Sequence, residues 1–400
     1  MRHIVVFREP SERNTSLLSS VLGAGELRSG RARDGTTLLR ARRPGSKASR
    51  SYERLGVAVA DLDDDRIGRL QRLDSVAAVV PNTRCFVPAS ALAGEATERS
   101  PRPVTSHSWC LDLIGVSPDL AQLGRGATVA VLDTGIDVDH PDLKKRVREN
   151  GQAQSFVSGE SVHDGHGHGT HCAGIIGGPR RSSSGTRYGV APEVRLLVGK
   201  VLSDLGTGFT DWILEGIDWA AANGARAISL SCLSNRSAGE PHSAVYERVA
   251  KSLLESSPGT LLLAPTGNAS ARPWHTQPVD NPAACPSLVA VAAVRRARQV
   301  ASFSGGQMDE TGEVNLSAPG VAVHSAWTGG GFRSLSGTSM AVPHVAGVAA
   351  LYLEARPTLS ALELRHSLES RARPLGDSRD YGRGLVRASE VPDLTGGLCR

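Results

Sequence analysis

Five short runs at residues 128–132, 194–201, 227–231, 260–264 and 288–294 are made largely of Val, Leu, Ile and Ala. Stretches with helical spacing, such as 210–222 and 246–255, lie between them. A strand that is apolar along its whole length must be buried on both faces, and alternation with helices supplies the cover. Residues 105–388 are therefore expected to fold as an α/β domain, a mostly parallel sheet with helices on both faces. That length is enough for one substantial core.

The chain before it reads differently. Residues 3–7 form an apolar run, 11–22 a capped helix, 36–40 and 56–59 β-compatible segments, 63–73 a helix and 76–80 a strand. The expectation is a small α+β unit, β-α-β-β-α-β, over residues 1–88. Residues 89–104 carry small residues, charges and prolines without apolar periodicity, the composition of an exposed linker where proteases cut. Residues 389–400 read as a C-terminal tail.

Charge separates the same regions. Of the net +5, residues 1–104 contribute 18 Lys and Arg against 12 Asp and Glu, and the remainder 27 against 28. The basicity is confined to the N-terminal quarter, and with aromatics at 4% the stacking platforms of a nucleic-acid binder are scarce. No nucleic-acid partner is expected. No apolar run approaches the length of a membrane span, and the first apolar run is too short for a secretory signal. The sequence by itself thus points to the cytoplasm. Six widely spaced cysteines, Cys85, Cys110, Cys172, Cys232, Cys285 and Cys399, form no C-x-x-C pair and read mostly as small buried residues, one or two disulfides remaining open.

Three motifs carry the chemistry: Val131-Leu132-Asp133-Thr134-Gly135, His166-Gly167-His168-Gly169-Thr170-His171-Cys172 and Gly337-Thr338-Ser339-Met340-Ala341. They supply a carboxylate, an imidazole and a hydroxyl. A serine hydroxyl is a weak nucleophile until a base takes its proton, and the base needs a carboxylate to hold its tautomer. Asp133 ends an apolar strand, where open α/β sheets place their sites. His168 and Ser339 each begin an apolar helical stretch, whose free N–H groups favour developing negative charge. A competing reading joins His163, Asp164, His166, His168, His171 and Cys172 as metal ligands at short spacing. Metal ligation is left unknown at this point.

With Thr266-Gly267-Asn268, Ser317-Ala318-Pro319-Gly320 and Tyr381-Gly382-Arg383-Gly384-Leu385, these motifs resemble the subtilisin family of serine endopeptidases, across nearly all of residues 109–387. The order Asp, His, Ser is itself the one known for subtilisin. The resemblance implies Asp133 as orienting acid, His168 as general base, Ser339 as nucleophile and Asn268 as oxyanion donor. No cofactor is implied for catalysis.

It also implies that a substrate pairs as an added strand with Gly206, Thr207 and Gly208 on one side and Ser231, Cys232 and Leu233 on the other. Leu233 stands where the family has glycine and would narrow the primary pocket's entrance. Asp280 aligns near that pocket's floor, where a carboxylate would favour Lys or Arg; an exposed loop aspartate is the competing reading. Asp142 matches a calcium ligand of relatives, but the partner loop, residues 177–188, brings Arg180, Arg181 and Arg187, so a structural calcium is doubtful. Residues 1–88 resemble the family's inhibitory prodomain, which implies a self-processing zymogen acting as a monomer on proteins or peptides. Secretion is the family-based alternative to a cytoplasmic location.

Overall fold

The computed structural model describes residues 1–22, 27–31, 37–41, 49–87 and 107–391. The expected linker at 89–104, residues 392–400 of the tail and Cys399 lie outside the described residues. The tail's first residues do not leave the body: Val391 is buried, and Arg371 donates to the Glu390 carbonyl at 2.6 Å.

The N-terminal unit runs β1 (Arg2–Phe7), α1 (Arg13–Leu22), β2 (Leu27–Arg31), β3 (Thr37–Ala41), β4 (Ser49–Tyr52), β5 (Val57–Asp61), α2 (Asp64–Gln71) and β6 (Val76–Pro81). Its sheet is antiparallel and six-stranded, in the order β2-β3-β4-β5-β1-β6. Two strands exceed the expected β-α-β-β-α-β count. Leu-Arg-Ser-Gly-Arg in β2 and Ser-Arg-Ser-Tyr in β4 have no apolar alternation to announce them; pairing with their neighbours makes them strands. The alternation of β1 divides two cores. Val5 and Phe7 pack with Leu18 and Leu70 of α1 and α2, while Ile4 and Val6 enter an apolar cluster shared with the second domain.

After β7 (Arg84–Phe86) the elements are α3 (Trp109–Ile114), β8 (Thr128–Asp133), β9 (Gln152–Ser155), α4 (His168–Gly177), β10 (Arg195–Lys200), β11 (Thr207–Phe209), α5 (Thr210–Ala222), β12 (Ala227–Leu230), α6 (Ala244–Glu255), β13 (Leu261–Pro265), β14 (Val289–Val294), β15 (Leu316–Pro319), β16 (Val323–Trp327), β17 (Gly331–Leu335), α7 (Thr338–Ala355), α8 (Ala361–Ser370) and α9 (Ser378–Tyr381). Seven parallel strands form one sheet in the order β15-β14-β13-β12-β8-β10-β9. This is the expected α/β architecture. Val129 and Val131 of β8 face the core that holds α4 and α7; Ala130 and Leu132 face the one beneath α5 and α6. Helix α7 is buried almost throughout, and its small residues let it pass through the core: a Cβ on Gly347 would come within 2.6 Å of Val190.

The N-terminal sheet sits on α5 and α6. Asp211, Glu215 and Asp218 share one face of α5. Arg2 Nε donates to Asp211 at 2.8 Å, Arg54 to Asp218 at 3.4 Å, and Arg50 pairs with Glu215. Asn82 both donates to the Asp211 carboxylate and accepts its N–H. Among the described residues no helix is long and apolar enough to cross a membrane.

Candidate active site

Asp133 closes β8, wholly buried, where the apolar run hands over to Thr134 and Gly135. One carboxylate oxygen accepts the Thr134 N–H at 2.7 Å, and His168 Nδ1 lies 2.8 and 3.0 Å from the two oxygens. The Thr134 carbonyl is tied in turn by buried Lys200, whose Nζ donates to it at 2.6 Å and to Asp204 at 2.6 Å. The strand end therefore has little freedom. Burial alone would pull the His168 imidazole down, but the Asp133 carboxylate outweighs it and holds its pKa well above the ordinary 6.5.

His168 is the first residue of α4. The residue before it, Gly167, has φ 97° and no side chain to cap the helix. Asp164 does that work from four residues upstream. Its buried carboxylate accepts from Gly167 N at 2.7 Å, His166 N at 3.1 Å, Thr170 N at 2.8 Å, Thr170 Oγ1 at 2.7 Å and Thr134 Oγ1 at 2.8 Å. Burial opposes its ionisation, yet these donors win and its pKa is lowered. Asp164 thus fixes both the start of the histidine helix and the loop after Asp133. The sequence offers a signal for it, an acidic residue just ahead of a helix start, which the metal reading obscured.

Ser339 is the second residue of α7, buried, and its Oγ has no hydrogen-bond partner. The first N–H groups of a helix lack intrahelical acceptors, so the Ser339 N–H is available. Asn268 stands opposite. Its Oδ1 accepts the Thr338 N–H at 2.9 Å and the Thr338 hydroxyl at 2.8 Å, which turns Nδ2 the other way. A Cβ on Gly337 would lie 3.1 Å from Asn268 Nδ2 and 3.8 Å from Ser339 N. Glycine keeps open the space beside these two donors. Gly267, at φ 111°, is required by its backbone, and a Cβ there would strike Asp280 at 2.4 Å.

Cys172 joins the three motifs. Its Sγ lies 3.9 Å from His168 Nδ1, 3.6 Å from the Ser339 carbonyl and 3.7 Å from Ser231 Oγ. Asp133, His168 and Cys172 are the one group among the described residues with metal-ligand atoms all within 4.8 Å of one another. His163, His166 and His171 do not join it, so the six-residue cluster considered from the sequence does not assemble. His171 is bound elsewhere, its Nε2 facing the Val323 carbonyl at 3.0 Å.

The two predicted substrate-binding segments are brought to opposite sides of one strand, and that strand is β7. Thr207, Gly208 and Phe209 pair antiparallel with Phe86, Cys85 and Arg84. On the other side Phe86 and Leu233 exchange both backbone bonds at 3.0 Å, and Val87 N donates to the Gly206 carbonyl at 2.8 Å. Leu233, in spite of its side chain, keeps its place in the ladder.

One reading changes. Asp280 is not an exposed loop residue: it is 2% exposed, its Oδ1 accepts the Arg236 N–H at 2.9 Å, and burial pushes its pKa up to about 6. Its environment is set by the turn at Gly267 and the backbone after Leu233, which no local pattern encodes. Asp142 is surrounded by donors: Ser182 Oγ at 2.7 Å, Tyr188 Oη at 2.8 Å and Ser183 N at 2.9 Å. These three contacts satisfy the Asp142 carboxylate within the chain itself. The five described cysteines are buried and unpaired, as free thiols.

Residues 124–384 match the Subtilase family. The chain is 35% identical over 345 residues to subtilisin E of Bacillus subtilis (strain 168), covering 86% of this chain and 82% of that protein. With the subtilisin of Bacillus pumilus it shares 41% over 265 residues, 66% of this chain and 90% of that one. Among solved structures, Sphericase aligns with a TM-score of 0.60 at 32% identity, covering 71% of this chain and 99% of its own. A cold adapted subtilisin-like serine proteinase aligns at 0.55 and 34%, covering 71% and 97%. The chain belongs to the subtilase family of serine endopeptidases.

Proposed function

We propose that this serine endopeptidase cuts peptide bonds with Ser339, His168, Asp133 and Asn268, and that residues 1–88 are its own inhibitor, removed by self-processing. The observation that carries the first part is the His168–Asp133 contact at 2.8 Å, with an unpartnered serine hydroxyl in the same buried site. Ser339 Oγ attacks the peptide carbonyl as His168 takes its proton. Asp133 holds the ring so that Nδ1 keeps its hydrogen and Nε2 is the base, and it stabilises the imidazolium that forms. The carbonyl oxygen, now negative, is met by Asn268 Nδ2 and the Ser339 N–H. His168 returns the proton to the leaving amine, an acyl enzyme remains, and water attacks it by the same route in reverse.

The second part rests on β7. A strand bonded on both edges at residues 206–209 and 233 imitates a bound substrate, and a segment held there blocks others. Arginine-to-carboxylate pairs on α5 hold the rest of the unit in place. Cutting between residue 88 and the start of the second domain would release it. Labelling of the processed protein with a fluorophosphonate, mapped by mass spectrometry, tests the nucleophile: modification at Ser339 is expected, and a processed protein left unmodified contradicts the reading.

A further inference from the structure

Lys200 closes β10 directly beside Asp133, which closes β8, and it is 0% exposed. A buried ammonium is costly unless oxygens replace its water, and an apolar side chain would fill the same space without that cost. Its oxygens come from separate segments: Lys200 Nζ donates to the Thr134 carbonyl at 2.6 Å and to Asp204 Oδ1 at 2.6 Å, and lies 3.2 Å from Glu160 Oε2. Thr134 follows Asp133, Glu160 precedes the Asp164 cap, and Asp204 belongs to the turn that leads into β11. That turn is closed on itself, Gly206 N donating to the Ser203 carbonyl at 2.8 Å and Ser203 N to the Thr207 carbonyl at 2.8 Å. Asp204 also accepts the Gly165 N–H at 2.9 Å, from the loop that opens the histidine helix, and donates its own N–H to Glu160 Oε2 at 2.9 Å. A Cβ on Gly165 would come within 2.5 Å of Asp204 Cγ, so the two loops touch directly.

Resting on the reading of residues 206–208 as a substrate edge, we propose that Lys200 and Asp204 are positioning residues that lock this edge to the strand end at Asp133 and to the loop before His168. The lock turns binding along the edge into rate. A peptide paired with residues 206–208 is held in a fixed place relative to base and nucleophile, so binding energy gained away from the scissile bond aligns the reacting carbonyl. With the lock cut, the edge offers the same backbone groups and a peptide still binds, but its place relative to His168 is no longer fixed. Affinity and turnover then separate.

The test uses the protease recovered after processing of the full chain, with rates taken per active site titrated by a fluorophosphonate. One peptide stops, on its amino side, short of the position that Val87 occupies; the other is extended to span the positions of Cys85, Phe86 and Val87. In the unmutated protease the extension should lower KM and raise kcat by about tenfold or more. Lys200→Met and Asp204→Ala should keep the gain in KM and shrink the gain in kcat by about fivefold. Asp204→Asn, which keeps an oxygen for the Gly165 N–H and for Lys200 Nζ, should retain most of it. The Asp204 side chain is 47% exposed, so its substitution spares the core even where Lys200→Met does not fold. A kcat gain that survives in Asp204→Ala, or a loss of kcat equal for the short and extended peptides, overturns the lock. An unmutated protease indifferent to the extension overturns it together with the reading of the edge.

Discussion

Four residues beyond Ser339 in helix α7 stands Pro343, which has no N–H to give to the Ser339 carbonyl. That carbonyl turns instead to Ser231 Oγ at 3.4 Å and Cys172 Sγ at 3.6 Å. The missing helical bond thus ties the serine's backbone to the histidine helix and to the proposed substrate-binding edge at Ser231. Pro343→Ala would supply the N–H and draw the carbonyl back into the helix. Helix stability should hold or rise, whereas misplacing the reacting group lowers kcat by up to about 10²-fold. Thermal melts alongside kcat check this; an unchanged kcat would show that the tie is not used.

Asn268 holds its place through Thr338, and its Nδ2 is the donor that no backbone group replaces. Asn268→Ala should lower kcat by about 10²–10³-fold, a magnitude known from subtilisin itself, with KM little changed. Thr338→Val, which removes one of the two bonds to Oδ1, should cost less. Steady-state kinetics on a single peptide distinguish the two, and equal losses would argue that Thr338 does more than orient the amide.

Neutral His168 is the form that can accept the serine proton. Its pKa lies above 6.5, since the Asp133 carboxylate outweighs burial, so activity should fall as pH drops through that raised value. The acid limb of kcat/KM is expected above pH 6.5 and the optimum on the alkaline side. Asp133→Asn should move that limb downward while lowering kcat by about 10⁴-fold. A limb at or below the ordinary imidazole value in the unmutated protein would contradict the balance of burial against charge.

Much of the candidate site was legible from residue order together with the family resemblance that its motifs carry. Asp133, His168 and Ser339 sit where apolar runs end or begin, and the five sheet strands follow from continuous burial of Val, Leu and Ala, as in Leu261–Pro265. What sequence could not give depends on distant partners. Asp164 looked like a metal ligand until five donors from two segments gathered on it; Asp280 looked exposed because its burial comes from the turn at Gly267 and the backbone at Arg236. Strands β2 and β4 owe their form to pairing, not to pattern. Nor could spacing reveal that β7 threads between the segments at residues 206–209 and 233.

The Asp142 carboxylate is satisfied by serine, tyrosine and backbone donors, so the loop it anchors is expected to hold without calcium there. Asp142→Ala should destabilise the protein by about 1–3 kcal/mol, because the buried Tyr188 hydroxyl loses its acceptor. The loss should be the same with EDTA as with added calcium. Denaturation curves in both conditions decide; a loss seen only in calcium would place an ion at this carboxylate.

The most direct test of the whole account is the intact mass of two purified chains, the unmutated protein and Ser339→Ala, prepared identically. The unmutated chain should lose its N-terminal unit by a cut beyond residue 87, the last described residue of the segment that contains β7. Ser339→Ala should keep its full length. A Ser339→Ala chain shortened at the same place, at the same rate, would contradict the claim that this protease's first substrate is itself.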